Sequence, residues 1–371
     1  MAIKTHSKLE KKNTNTVKPF KGKDLITYLI VVVFFTVFQV LASTGTLKNS
    51  LKALLVPICV QVILAVSLNL VVGFLGELSL GHAGFMCVGA FTGTFFSVLM
   101  EDVITVVWVR FACAFVIGAI AAAISGILIG IPVLRLKGDY LAIVTLAFGE
   151  IIKTIVNALY IGKDSNGFHM SLDSSKLGMG TDGQIILNGP QGISGTPKNS
   201  TFLIGFILVM LVLIIVNNLM DSRTGRAIMS IRDNRIAAES VGIDITKYKL
   251  MVFTISAAMA GIAGVLYSHN LSKLTATTAN FGYTMSITIL VYVVLGGMGN
   301  VRGSVIAATI LYALPELLRG IGDLSSYRML IYSILLILMM IFNNGTYFVS
   351  LREEIAYKFK NKKTKTAGEA A

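Results

Sequence analysis

The sequence predicts an all-α polytopic membrane protein with about ten transmembrane or re-entrant helices. Three observations carry that reading. Hydrophobic residues make up 54% of the 371 and charged residues only 14%, against roughly 25% charged in a soluble domain. Mean hydropathy is +0.76. The apolar residues collect in long blocks rather than in the alternation of a membrane barrel, which leaves helices as the spanning element.

A polar tail over residues 1–24 carries Lys4, Lys8, Lys11, Lys12, Lys18, Lys21 and Lys23. The run that follows, LITYLIVVVFFTVFQVLA, has Val40 and Ala42 where a signal peptide would be cleaved, but it is long for such a region and more spans follow, so it reads as an uncleaved first helix. Further apolar runs lie at Leu51–Gly73, Gly84–Met100, Val103–Leu134, Tyr140–Ile161, Thr201–Met220, Leu250–Ser268, Met285–Gly299, Ser304–Leu318 and Tyr327–Val349. Within the Val103–Leu134 run, Arg110 is expected to snorkel to the membrane interface. Placing the amino terminus inside puts every basic connection on one side: Arg135 and Lys137, Arg223 to Lys249, Arg302, and a basic tail over 350–371 holding Arg352 and Lys365. Both termini of a multi-pass cell-membrane protein are then cytoplasmic. The expected plan is a permease domain over 25–349, with an extracellular connection at 162–200 and a cytoplasmic one at 221–249. In the outer connection Lys163, Lys176 and Lys198 are matched by Asp164, Asp173 and Asp182, so little charge opposes its translocation. Equal numbers of passes on either side of it allow two inverted five-helix halves.

The formal charge of +13 resides in the tails and short connections, as orientation signals do, which argues against nucleic acid as a partner. Cys59, Cys87 and Cys113 stand apart in apolar sequence, and His6, His82, His169 and His269 are scattered, so neither a metal site nor a cofactor site is expected. The chain also lacks the glycine-rich phosphate loop with its Lys, so it is not expected to hydrolyse ATP, and its energy must come from a partner or an ion gradient.

The stretch LVVGFLGELSLGHAGFMCVGAF breaks the apolar pattern. An ionised Glu77 at the centre of an isolated helix would cost about 2.5–3.5 kcal/mol. Gly73, Gly76, Gly81, Gly84 and Gly89 each weaken a helix by about 1 kcal/mol relative to Ala. Two roles justify such glycines: close approach of helices, and a broken helix whose free backbone groups line a cavity. The segment is therefore either a broken or re-entrant connection, or an ordinary cytoplasmic turn with Glu77 and His82 in water. Glu150 and Lys153, at i and i+3, read as a mutually neutralising structural pair.

In the connection DSRTGRAIMSIRDNRIAAESVGIDITKYK, Asp233 is placed to cap a helix starting near Asn234, and Gly242 is placed to end it. Ile236, Ala237, Ala238 and Val241 offer an apolar patch among Arg235, Glu239 and Ser240. So short a helix must be held by packing, against this chain itself or against a cytoplasmic partner with a groove.

The blocks LNLVVGFLGELSLGHAGFMCVGAF, LKGDYLAIVTLAFGEIIK, TGRAIMSIRDNRIAAESVGIDITKYKLMVFTISAAMAGIAGVLY and VVLGGMGNVRGSVIAATILYALPELLR resemble, in order, the membrane permease subunits of branched-chain amino-acid ABC transporters, the LivM type. That resemblance implies a homologous second permease, cytoplasmic ABC ATPase subunits, an extracytoplasmic substrate-binding protein, and Leu, Ile or Val as cargo. Ala237, Ala238 and Gly242 match the small and glycine positions of the family's coupling motif; Ile236 replaces its leading Glu. The coupling set is then Asp233, Arg235, Ile236, Ala237, Ala238, Glu239 and Gly242. Candidates for the translocation path are Glu77, Ser79, Gly81, His82, Gly84, Tyr140 and Thr145. NGPQGISG, residues 188–195, is similar to the family's glycine-rich outer segment, a contact for the binding protein or a flexible loop. Two rival readings stand beside this one: an ABC permease for urea, amides or other amino acids, and an ion-coupled secondary transporter using Glu77, His82 and Glu150. A membrane receptor without transport is a third.

Overall fold

The computed structural model describes residues 22–44, 49–133, 138–164, 167–173 and 183–319, with 330, 331, 333, 334 and 336–338 beyond them. Most of the two basic tails, Arg135, Lys137, Lys176, Asp182 and most of the Tyr327–Val349 run lie outside these residues. The chain forms two units, Met1–Thr46 and Leu47–Ala371. In the first, helix α1 (Gly22–Ser43) is apolar, and its Thr36 hydroxyl donates back to the Val32 carbonyl at 2.6 Å.

The second unit contains eight helices long and apolar enough to cross a membrane among the described residues. They belong to α2 (Asn49–Asn69, continued by a wider π-helical turn at Leu70–Leu75), α3 (His82–Leu99), α4 (Val107–Val133), α5 (Asp139–Ala158), α6 (Phe202–Asp221), α9 (Ile245–Ser268), α10 with α11 (Thr278–Phe281 and Tyr283–Gly296) and α12 (Val301–Arg319). The polar helices α7 (Arg223–Asp233) and α8 (Arg235–Ser240) lie between α6 and α9. The sequence-based count of about ten thus meets eight described spans and, in α1, a shorter apolar helix at Thr27–Ser43. Caps explain several boundaries: the Thr201 side chain accepts from Ile204 N to begin α6, and Asp244 accepts from Lys247 N to begin α9.

Helix α2 is buried almost all round from Leu55 to Val72, as expected of a helix that is apolar on every face. Helices α3, α4 and α9 meet through small residues. A Cβ on Gly261 of α9 would stand 2.6 Å from Ala122 Cβ and 2.7 Å from Gly118 O on α4, and one on Gly89 of α3 would strike Gly261 itself. The backbones therefore touch where side chains normally intervene. The α4 helix begins at Val107 rather than Val103, and Arg110 lies in its first turn. Its side chain is 5% exposed and folds back on the preceding loop, donating to Glu101 O at 3.1 Å and facing the Glu101 carboxylate at 3.5 Å.

The membrane helices are joined at one end by a feature the all-α expectation lacked, a five-stranded antiparallel sheet in the order β2-β1-β3-β4-β5. Its strands are β1 (Tyr160–Asp164), β2 (Gly167–Ser171), β3 (Gln184–Asn188), β4 (Ile193–Ser194) and β5 (Lys273–Leu274). The fifth apolar run consequently ends as a helix at Ala158, and Tyr160↔Ser171 and Tyr160↔Asn188 pairings continue the chain as strand. NGPQGISG forms the β3–β4 turn, where Gly192 N donates to Gly189 O at 2.9 Å and Ile193 pairs with Leu274.

Candidate transport site and coupling helix

The polar stretch is a broken connection. The π-helical turn of α2 ends at Gly76, whose φ of 79° belongs to the left-handed region that a residue with a Cβ avoids. The Gly76 and Glu77 amides both turn back to Val71 O. Residues 77–81 are irregular, and α3 restarts at His82. Glu77 and His82 are not in water. Glu77 forms an ion pair with Lys249 of α9, the Lys side chain being 2% exposed. His82 is buried and shares a 2.7 Å hydrogen bond with Ser67 Oγ of α2.

The rest of the break is fastened to three other helices. Leu80 N donates to Thr145 Oγ1 of α5 at 3.0 Å, Ala83 N donates to Ser286 Oγ of α11 at 3.1 Å, and Ser256 of α9 donates to Ser67 O at 2.6 Å. Gly81 and Gly84 let α5 come close: a Cβ on Gly84 would lie 2.7 Å from Gly149 Cα, and one on Gly81 would strike the Thr145 carbonyl. The structure thus gathers Glu77, Ser79, Gly81, His82, Gly84 and Thr145. Tyr140 does not join them; it is 72% exposed on the outer face of α5. Buried Ser79 Oγ has no hydrogen-bond partner among the described residues.

Several residues of this hub had not been singled out. Asn69 Nδ2 donates to Ser304 Oγ of α12 at 3.0 Å while its Oδ1 accepts from Gly299 N at 2.9 Å. An amide side chain within an apolar run was the available signal for Asn69. Lys249, Ser67, Ser286 and Arg232 carry no such signal, because only folding reveals what each faces.

Glu150 and Lys153 form the expected ion pair, and both also hold the α10–α11 junction. Tyr283 N donates to Glu150 Oε1 at 2.7 Å, and Lys153 Nζ donates to Thr278 Oγ1 at 2.9 Å. No cluster of His, Cys, Asp and Glu suited to a metal occurs among the described residues.

Helix α8 is capped one residue later than expected. Asn234 is the N-cap, its side chain accepting from Ala237 N at 3.1 Å, whereas Asp233 ends α7 and accepts from Arg232. At the other end Gly242, at φ 85°, donates to Glu239 O and Ile243 donates to Ala238 O, the paired closure of a Schellman turn. Of the apolar patch, Ala238 turns inward at 3% exposure while Ile236 and Val241 stand 81% and 76% exposed. Arg235, Ala237 and Glu239 are exposed beside them.

Residues 50–340 match the family described as branched-chain amino acid transport system / permease component. The chain belongs to that family. This permease is 36% identical over 292 residues to the high-affinity branched-chain amino acid transport system permease protein LivM of Salmonella typhimurium, and equally to that of Escherichia coli; each match takes in 76% of this chain and 66% of the relative's length. It is 25% identical over 329 residues to the ribose import permease protein RbsC of Escherichia coli, covering 87% of this chain and 93% of that one. No solved structure matches the permease.

Proposed function

We propose that this permease is the membrane subunit of an ATP-binding-cassette importer that forms the translocation path for branched-chain amino acids. The observation that carries the reading is α8, a helix too short to persist alone, closed by caps at both ends and presenting Ile236 and Val241 outward. A cytoplasmic ATPase with an apolar groove fits it. The further partners are a homologous second permease and an extracytoplasmic binding protein that delivers Leu, Ile or Val. Transport alternates between outward-open and inward-open arrangements, with ATP bound and hydrolysed on the partner subunits. The domain plan is a permease body at 25–349 between basic tails at 1–24 and 350–371, with both termini and the 221–249 connection in the cytoplasm and the 162–200 segment outside. Four described spans precede β1 and four follow β4, in keeping with two inverted halves; most of the 327–349 run lies outside the described residues. Glu77, Ser79, Gly81, His82, Gly84 and Thr145 border the path. Glu77 and Glu150 are engaged in ion pairs, which favours a structural role for them over ion coupling.

The test is uptake of radiolabelled leucine by proteoliposomes holding this permease with the ATPase, second permease and binding protein. Uptake requiring every component, and reduced at least about tenfold by Ile236→Asp at an 81% exposed site, supports the proposal. Uptake by this chain alone under an ion gradient, or of urea in place of leucine, overturns the mechanism or the cargo respectively.

A further inference from the structure

The two connections leaving α8 both reach the same few residues of the broken segment. On the amino-terminal side, Arg232 lies in the last turn of α7, two residues before the Asn234 cap, and its NH1 donates to Gly73 O at 3.0 Å. The carbonyl is available because the π-helical turn ends there, and a guanidinium beside a helix carboxyl end is held by the helix dipole as well as by the bond. The fit is close: a Cβ on Gly76 would lie 2.7 Å from Arg232 Cγ, and one on Gly299, in the α11–α12 turn, would lie 3.5 Å from Arg232 NH1. On the carboxyl-terminal side, Lys249 in the first turns of α9 pairs with Glu77. Gly73 and Glu77 bracket Gly76, the residue at which α2 stops.

We propose that Arg232 and Lys249 form a two-point joint through which displacement of α8 turns the Gly73–Glu77 break, and that Arg232 is a positioning residue for coupling rather than for ATPase docking. The proposal rests on the importer reading above. An element gripped on both sides of a helix stop moves as a unit with the element that grips it. From the break, the motion passes directly to the start of α3 through Leu80–Thr145 on α5 and Ala83–Ser286 on α11, so the helices that border the proposed path are the ones re-aimed. Losing one grip leaves α8 free to dock while its movement is no longer delivered.

The experiment measures leucine uptake and ATP hydrolysis in the same proteoliposomes of the complete importer. Arg232→Ala and Lys249→Met are expected to keep ATP hydrolysis within about twofold of wild type while leucine moved per ATP falls about tenfold, the scale on which residues between two sites change their coupling. Arg232→Lys, which still donates one hydrogen bond, is expected to recover a large part of the ratio, and the exchanged pair Glu77→Lys with Lys249→Glu more than Lys249→Glu alone. In parallel, ATP is expected to change amide hydrogen exchange at residues 76–81 in wild type but not in Arg232→Ala; this readout needs no cargo. Unchanged leucine per ATP in variants of a transporting complex, or an exchange response at 76–81 that survives Arg232→Ala, overturns the joint. Should Arg232→Ala fail to assemble, a wild-type ratio in Lys249→Met, with its exchange response at 76–81 intact, overturns it too. Wild-type vesicles that hydrolyse ATP without taking up leucine fail the importer's cargo instead, and the exchange result then judges the joint by itself.

Discussion

At the residue scale, the break depends on groups whose neighbours come from far along the chain. Gly73 lies over the hydrogen bond from Gly299 N to Asn69 Oδ1, and a Cβ there would strike both partners. Gly73→Ala is therefore expected to lower stability by about 1–3 kcal/mol, the usual cost of forcing atoms into a packed site, read as a fall in thermal unfolding temperature in detergent. A wild-type melting curve would contradict the packing. Gly76 and Gly73 look alike in sequence, yet one is needed for its left-handed φ and the other for the space a side chain would take. Glu77 shows the same limit. Its carboxylate left open a partner or a place in water, and Lys249, 172 positions later, is identified only by folding.

At the element scale, α8 has six residues, so its caps decide whether it exists. Asn234→Ala removes the acceptor for Ala237 N and is expected to cost about 1 kcal/mol. The measurement is amide exchange across 235–240, which should rise there and stay unchanged in α6; a uniform rise would mean that the substitution loosens the whole chain. The helix itself and its closing glycine were legible from composition. The choice between Asp233 and Asn234 as cap was not, because Asp233 is drawn back into α7, where its carboxylate accepts from the Arg232 guanidinium at 3.0 Å. The strands escaped detection for a related reason. They are five residues or fewer and pair across turns, so no single strand carries a period long enough to separate it from a loop.

At the scale of the whole molecule, α3, α4 and α9 hold the body together by backbone contact, and the prediction belongs to that interface. Gly261→Val would place methyl groups where Gly89, Gly118 and Ala122 already touch. With no room for α9 to retreat, the variant is expected to abolish the folded monomer on size exclusion in detergent, whereas Ile310→Val, on an exposed part of α12, should leave the profile unchanged. Folded protein from Gly261→Val would mean that α4 or α9 moves aside at little cost. The sequence by itself determined the membrane class, most of the span boundaries, the capped helix between α6 and α9, and the stretch at which the apolar pattern is interrupted. All of these follow from local composition, since twenty apolar residues need a bilayer and a capped six-residue helix needs a partner. Only the tertiary structure decided that the break is fastened to α5, α9 and α11, that α8 is tied to it from both sides, and that the connection between α5 and α6 contributes strands to a sheet. Those contacts join residues far apart in the chain, and each polar group takes whichever neighbour the packing brings within hydrogen-bond distance.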